Sequence, residues 1–314
     1  MLTLEQIRRQ VESAEDLHSI SKAMKALAAV RIRQSRQAVE SLDRYGRTVE
    51  LALQLLLRSR PRRMRRMEED QVSGGVGAVV FGSDLGLAGR FNIRITDFAL
   101  EILGDEHPEP GMRTVLAVGS RVAAQLESQG QPVAVRLPAP DSVEALTPTV
   151  QELLVAIQEM RAERRLERFH LFYNHYHHGA TYRPHRVHLL PLNVEWLGGL
   201  EERSWPTPVI PTFRTPWHEL FSALVREHLF VTLYAATALS QASENASRLA
   251  SMEAAERRIE ERLAELEGRF NQQRQERITG EILDLLTGYL AAMEDGAGED
   301  GQRAVDGRGP VEHE

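Results

Sequence analysis

Between Leu4 and Leu53 the apolar residues Leu4, Ile7, Val11, Ala14, Leu17, Met24, Leu27, Val39, Leu42, Val49 and Leu53 return at helical intervals, with no proline before Pro61 and Gly46 as the one interrupting glycine. Thr3 and Gln6 form a capping-box pair at the start of this run. A second pattern opens at Thr215, the expected N-cap, and Pro216, the expected first helical residue. Leu239, Ala242, Ala246, Leu249, Met252, Ile259, Leu263, Leu266, Phe270, Ile278, Ile282, Leu285 and Tyr289 then recur mostly at steps of three and four, and no proline follows until Pro310. An unbroken helix from 216 to 293 would be on the order of 115 Å long, at ~1.5 Å per residue. A globular helix averages only ~11–12 residues, so a seam this long requires a partner along its length. The first helix supplies one, which predicts an antiparallel intramolecular coiled coil of the two chain ends. Two separate amphipathic helices lying on one domain are the alternative.

The middle of the chain alternates in a different way. Val76–Phe81 reads as a buried strand, Phe91–Leu103 as a helix, Thr114–Val118 as a strand and Arg121–Ser128 as a helix. Pro132–Leu137 reads as a short strand, Ser142–Arg164 as a longer helix, and two further strands fall around 167–173 and 186–192. This order predicts an α/β domain of mostly parallel sheet, inserted between the coiled-coil helices. The expected organisation is an N-terminal coiled-coil helix over 1–57, a basic linker over 58–75, the inserted domain over 76–212, a C-terminal coiled-coil helix over 213–293 and a disordered acidic tail over 294–314.

Charge sharpens two of these boundaries. The formal net charge is −7, yet residues 294–314 alone carry seven acids against Arg303 and Arg308, so acidity belongs mainly to the tail. Arg58, Arg60, Arg62, Arg63, Arg65 and Arg66 precede Glu68, Glu69 and Asp70, an abrupt reversal that reads as a solvated linker or a contact with an acidic partner. Nucleic-acid binding is not expected there, because no aromatic residue lies between Tyr45 and Phe81 to stack on a base. The chain has no cysteine, which removes disulfides and thiolate metal sites. Met1 is followed at once by a helical pattern, and no stretch approaches the ~18 apolar residues of a membrane span, so neither a signal peptide nor a span is expected.

Three places could carry chemistry. Gly82-Ser83-Asp84-Leu85-Gly86-Leu87-Ala88-Gly89-Arg90 joins a strand to a helix and has the composition of a phosphate cradle. It lacks both the Lys-Ser/Thr of a P-loop and the spacing of a dinucleotide turn, so a tight structural turn is the preferred reading. His170, His175, His177, His178, His185 and His188 are six of the eleven histidines. His175 and His177 would share one strand face as a pair of zinc ligands, but no adjacent carboxylate or cysteine supplies a third, so a polar hairpin edge is the default and no metal or cofactor is assigned. Finally, Asn271-Gln272-Gln273-Arg274-Gln275-Glu276-Arg277 interrupts the apolar seam, which points to a polar partner or to a solvated turn of helix.

Four blocks carry a family likeness: Ile20-Ser21-Lys22-Ala23-Met24-Lys25-Ala26-Leu27-Ala28-Ala29, Ser83-Asp84-Leu85-Gly86-Leu87-Ala88-Gly89-Arg90-Phe91-Asn92, Ser243-Glu244-Asn245-Ala246-Ser247-Arg248-Leu249-Ala250-Ser251-Met252 and Arg274-Gln275-Glu276-Arg277-Ile278-Thr279-Gly280-Glu281-Ile282. In this order, and over residues 2 to about 292, the chain resembles the gamma subunit of rotary F-type ATP synthases. The resemblance implies a central rotor stalk: a coiled coil inside a ring of alternating alpha and beta subunits, with the inserted domain against the epsilon subunit and the membrane c ring. It further implies a non-catalytic, cofactor-free subunit, nucleotide chemistry being in the beta subunits, located peripherally at the cytoplasmic face of a bacterial inner membrane. Arg274 and Gln275 match positions that hydrogen-bond to beta subunits, Thr279 and Glu281 match positions implicated in coupling, and Met24 and Arg248 match positions at the contact between rotor and ring.

The likeness is not uniform. Ala88 stands where the family commonly has cysteine and Arg90 where it has glycine, Arg257-Arg258-Ile259-Glu260-Glu261-Arg262 replaces a more neutral stretch, and the acidic tail is an extension. These departures imply a divergent branch, such as the alternate F-type ATPases found beside a standard enzyme in some bacteria. Read without the resemblance, the chain leaves two other classes open: a nucleotide-binding enzyme built on the Gly82–Gly89 turn, and a coiled-coil scaffold with unrelated partners.

Overall fold

The computed structural model describes residues 3–59, 75–164, 166, 168–179 and 181–303, with side chains described as far as residue 290. Most of the basic linker therefore lies outside the described residues. The elements run α1 (Leu4–Arg58), β1 (Val76–Phe81), α2 (Phe91–Glu106), a 3₁₀ turn (Pro110–Met112), β2 (Arg113–Val118), α3 (Ser120–Ser128), β3 (Val133–Leu137), α4 (Leu146–Arg164), β4 (Arg168–His178), β5 (Thr181–Leu190), α5 (Val194–Glu202) and α6 (Trp217–Arg303). The expected capping box is present at the start of α1, where the Thr3 backbone N–H donates to Gln6 Oε1 at 2.9 Å and the Gln6 N–H to Thr3 Oγ1 at 3.3 Å. At its far end α6 continues as helix to Arg303, beyond the boundary expected at 293, with no proline before Pro310 to stop it. Residues 304–314 of the expected tail lie outside the described residues.

Two compact bodies make up the chain, one of residues 1–21 with 255–314, the other of residues 22–254. In the larger body the sheet order is β3-β2-β1-β4-β5. β1 pairs parallel with β2 and with β4, β2 parallel with β3, and β5 closes one edge antiparallel to β4. Four parallel strands and one antiparallel edge strand give the mostly parallel α/β sheet read from the sequence. β1 lies at the centre and is buried at all six positions, as a strand covered on both faces must be. On one face Val76, Ala78 and Val80 pack with Ile95, Ala99 and Leu103 of α2 and with Val122, Ala123 and Leu126 of α3. On the other, Val79 and Phe81 pack with Val150, Leu153 and Ile157 of α4 and with Leu233 and Ala236 of α6.

In this body α1 and α6 run antiparallel. Ser35 Oγ donates to Gln241 Oε1 at 2.8 Å, Tyr45 OH to Glu227 Oε2 at 2.6 Å and Trp217 Nε1 to the Leu56 carbonyl oxygen at 2.9 Å, so numbers rise along α1 as they fall along α6. α5 was not foreseen; Asn193 caps it by accepting from the Glu195 and Trp196 N–H groups, and its Leu200 packs with Val49, Leu53 and Leu57 of α1. The smaller body repeats the antiparallel sense, with His18 facing Glu260 at 3.3 Å, and Arg8 and Val11 sharing a groove with Phe270 and Asn271.

The seam differs from its apolar reading at specific places. Leu17 and Leu27 are 57% and 52% exposed, while Ser21 is buried in the smaller body and Ala28, Ile32 and Ser35 are buried in the larger. A strict alternation of steps of three and four from Ile7 passes through Val11, Ala14, His18 and Ser21, and later through Ala28, Ile32 and Ser35. Leu17 and Leu27 each stand one residue, about 100° of helix, off that line. Toward the C-terminus Ile278, Ile282, Leu285 and Tyr289 are exposed as well, whereas the sequence pattern placed them in the seam. Leu4, the first residue of α1, already lies beside Arg274 and Ile278, so α1 ends where those residues would need it.

Candidate functional site

Polar residues between Ser240 and Arg248 do what apolar residues do elsewhere in α6. Ser240, Gln241, Ser243, Glu244, Asn245, Ser247 and Arg248 are all buried, and each turn of the helix reaches a different piece of backbone. Gln241 Nε2 donates to the Pro140 carbonyl oxygen at 2.9 Å, Ser243 Oγ to that of Asn174 at 2.7 Å and Ser247 Oγ to that of Ala88 at 2.6 Å. Asn174 extends the set, its amide donating to the Phe91 carbonyl oxygen at 3.1 Å. Helix α6 is thereby stitched to β4, to the turn before α2 and to the loop before α4. Sequence reasoning placed Arg248 at a contact with another subunit; in this chain it is 4% exposed, with Nη2 2.6 Å from Glu244 Oε1 and Nη1 3.2 Å from Asn245 Oδ1. Burial pushes the Glu244 carboxyl up from its ordinary range, and the Arg248 charge opposes that shift.

The glycine-rich turn beneath this seam is filled by its own side chains. Asp84 Oδ1 accepts from the Ser120 N–H at the start of α3 at 2.6 Å, and Oδ2 accepts from the Ala139 N–H at 2.7 Å. The Asp84 carboxylate thus sits at the N-terminus of α3, while α2, the helix that the turn leads into, has no side-chain cap at Arg90. Ser83 N–H donates to Asn92 Oδ1 at 3.0 Å and Asn92 Nδ2 donates back to Ser83 Oγ at 2.9 Å. Gly119 sits opposite at φ 109°, where a Cβ would fall 2.8 Å from the Ser83 backbone, so close approach of two chain segments explains the glycine. This is the structural turn preferred from the sequence.

The histidines cluster on the hairpin of β4 and β5. The His175 ring lies 5.2 Å from that of His177, tilted, and 5.7 Å from that of His185, edge-on, centre to centre. Burial, followed by the neighbouring imidazoles, holds His175 and His185 below the ordinary histidine range. Deeper in the sheet His170 Nε2 lies 2.9 Å from Glu106 Oε2, and Glu106 Oε1 accepts from Arg186 at 2.7 Å.

In the smaller body, the polar interruption is solvent-facing: Arg274, Gln275, Thr279 and Glu281 are all exposed. Thr279 Oγ1 donates to the Gln275 carbonyl oxygen at 2.9 Å and Arg277 Nε to Glu281 Oε1 at 2.9 Å. Among the described residues, the side chains of Arg274 and Gln275 make no hydrogen bond and no ion pair. Beyond them Ile278, Ile282, Leu283, Leu285, Leu286, Tyr289 and Leu290 are exposed, Leu285 to 74%. An apolar run of this kind on a helix surface marks an interaction face. In the larger body Met24 is half-buried, next to exposed Leu27 and Val30. No signal other than solvent exposure separates these two sets from the seam.

Comparison with known proteins adds a lineage. A family model described as ATP synthase matches residues 3–292. The ATP synthase gamma chain of Bacteroides fragilis is 26% identical over 303 residues, covering 93% of this chain and 100% of that one. Among solved structures, a chain of the Euglena gracilis mitochondrial ATP synthase, in a structure of its OSCP, F1 and c-ring, matches with a TM-score of 0.60 at 17% identity, covering 99% of this chain and 98% of that one. A chain of the Tetrahymena thermophila mitochondrial ATP synthase central stalk and c-ring matches with a TM-score of 0.57 at 21% identity, covering 75% of this chain and 99% of that one.

Proposed function

The chain belongs to the ATP synthase gamma family, and from that membership we propose that it is the central rotor stalk of an F-type ATP synthase, coupling ion-driven rotation of a membrane c ring to ATP synthesis or hydrolysis in a hexamer of alpha and beta subunits. The observation that carries the reading is the far end of α6, where free Arg274 and Gln275 side chains are followed by an exposed apolar run from Ile278 to Leu290. A collar of other subunits gives those side chains the burial that the chain itself does not supply. Such an element acts by contacting the catalytic subunits differently at each angle, and differential contact is what lets a bound element shift an equilibrium among their states.

In this role the subunit is non-catalytic and the six contact and coupling positions are Met24, Arg248, Arg274, Gln275, Thr279 and Glu281. Arg274 and Gln275 offer exchangeable polar bonds to the collar, and the Thr279 and Glu281 side chains hold the local turn of helix through Gln275 and Arg277. Met24 lies among exposed apolar neighbours on α1. Arg248 acts through the glycine-rich turn, where its Nη2 reaches the Gly86 carbonyl oxygen at 3.5 Å. The inserted domain would face the epsilon subunit and the c ring, placing the protein peripherally at the cytoplasmic face of a bacterial inner membrane. No helix of the described residues is long and apolar enough to cross a membrane. Neither a nucleotide-binding enzyme nor an unrelated scaffold gains support from the comparisons, which match the ATP synthase family over residues 3–292.

Co-expression with alpha and beta subunits tests the reading. The chain should purify as one copy per hexamer, and in the membrane-bound complex with its c ring Gln275→Leu with Thr279→Val should leave assembly intact while ATP hydrolysis ceases to drive ion transport. A chain that never joins such a hexamer would overturn the reading.

A further inference from the structure

The helix pair of the smaller body contains an arrangement that rotor function does not require. His18 Nε2 lies 3.3 Å from Glu260 Oε1 and 3.8 Å from Glu256 Oε1, and one donor atom from each of the three residues lies within 4.8 Å of the others. Among the described residues no other three histidines or carboxylates converge so closely. We propose that His18, Glu256 and Glu260 form a divalent-metal clasp, suited to Zn²⁺ or a neighbouring first-row ion, that ties the beginning of α1 to α6.

Position argues for it first. His18 falls on the line of three- and four-residue steps that runs Ile7, Val11, Ala14, His18 and Ser21. Glu256 falls on the matching line of α6, followed by Ile259, Leu263, Leu266 and Phe270. A helix pair fills such positions with apolar side chains, and a polar pair there costs stability unless something compensates it. A cation held between the imidazole and the carboxylates makes of that pair a cross-link between the helices.

Geometry and chemistry agree with this placement. Glu256 and Glu260, four residues apart, share one face of α6, so both carboxylates reach the same side. Ligands about 2.0–2.1 Å from a tetrahedral Zn²⁺ stand about 3.3 Å from one another, close to the spacings already present. One imidazole and two carboxylates match the charge of a divalent ion and the donor preference of zinc, cobalt, nickel or manganese; without a thiolate the set does not select a soft ion. His18 is 29% exposed and Glu260 58%, which leaves an entry path and room for water to complete the coordination.

The test uses the full chain, stripped of metal with a chelator and titrated with ZnCl₂ by calorimetry and with CoCl₂ by its visible absorption. One equivalent should bind, zinc should raise the melting temperature, and Glu260→Gln should weaken binding about tenfold or more. His18→Leu removes the ring nitrogen while giving the seam an apolar side chain, so it keeps the helices paired and should abolish both binding and the zinc-dependent melting shift. Zinc binding should survive His175→Ala with His177→Ala, which dismantles the hairpin cluster. Absence of binding, binding that persists in His18→Leu, or binding lost with the hairpin histidines would each overturn the proposal.

Discussion

Ser247 Oγ lies 2.6 Å from the carbonyl oxygen of Ala88, and the Tyr182 hydroxyl stands 3.1 Å from the same Ser247 oxygen. One buried hydroxyl thus joins α6, the glycine-rich turn and strand β5. Ser247→Ala would leave the Tyr182 hydroxyl short of a partner inside the protein, while the Ala88 carbonyl would keep only the Phe91 N–H at 3.1 Å. Leaving a buried polar group unsatisfied costs about 1–3 kcal/mol, so urea unfolding of the variant should show a loss in that range. A variant as stable as the parent would mean that the seam closes over water.

On the same stretch of α6, Arg248 and Glu244 are an ion pair with side chains 5% and 11% exposed. Removing one partner from a buried pair strands the other charge, at about 3–5 kcal/mol, whereas replacing both by apolar residues is often neutral. Arg248→Ala should therefore destabilise strongly, and Arg248→Met combined with Glu244→Leu should recover most of the loss. Equal losses in the single and double variants, measured by denaturant unfolding, would remove the pairwise explanation.

Asp84 distinguishes a structural turn from a ligand cradle. Its two oxygens accept the Ser120 and Ala139 N–H groups, so Asp84→Ala should cost about 1.5–3 kcal/mol, as expected for hydrogen bonds to a charged group. The parent chain titrated with ATP should give no heat. A stoichiometric heat signal lost in Asp84→Ala would reassign the turn.

How far the sequence speaks for the fold depends on which residues carry each element. β1 and its neighbours were legible because a run such as Val76–Phe81 between turn signals has one reading, and the long helices because their periodicity lacks breakers. α5 was hidden by the surrounding prolines, although Asn193 followed by Glu195 is a capping signal. The seam of α1 leaves the apolar Leu17 and Leu27 exposed and follows strict spacing through His18, Ser21 and Ala28 instead, so apolar identity alone does not locate it. At the candidate site, exposure of Arg274 and Gln275 accords with the polar interruption. Burial of Arg248 could not be read from sequence, because its partner Glu244 is four residues away on a segment that looks solvent-facing by composition.

Acid should weaken the larger body. Burial holds His170, His175, His185, His188 and His228 below the ordinary histidine value of 6.5; around His170, Glu106 opposes the shift while His188 and Arg186 add to it. A histidine with a lowered native pKa binds fewer protons folded than unfolded between the two values, so stability rises with pH there and is lost as pH falls from about 6.5 through the native value. Glu244, raised by burial, acts in the opposite sense. The melting temperature should fall between pH 7.5 and pH 5.5, and fall less in His170→Gln. A melting temperature that is flat or rises toward acid would contradict the burial of these rings.

The exposed end of α6 separates folding from assembly. Leu285 is 74% exposed, so Leu285→Asp removes no packing within the chain, and its effect on stability should stay within about 0.5 kcal/mol, as for other surface substitutions. If the apolar run from Ile278 to Leu290 is the face that a collar of subunits covers, the same substitution buries a charge in the assembly, which is costly when unpaired. Assembly with alpha and beta subunits, read by size-exclusion chromatography across a concentration series, should weaken by tenfold or more, about 1.4 kcal/mol or greater. Unchanged assembly together with unchanged stability would show that this stretch of α6 meets no collar, and would move the interaction face to α1, where Leu27 and Val30 are the exposed apolar pair.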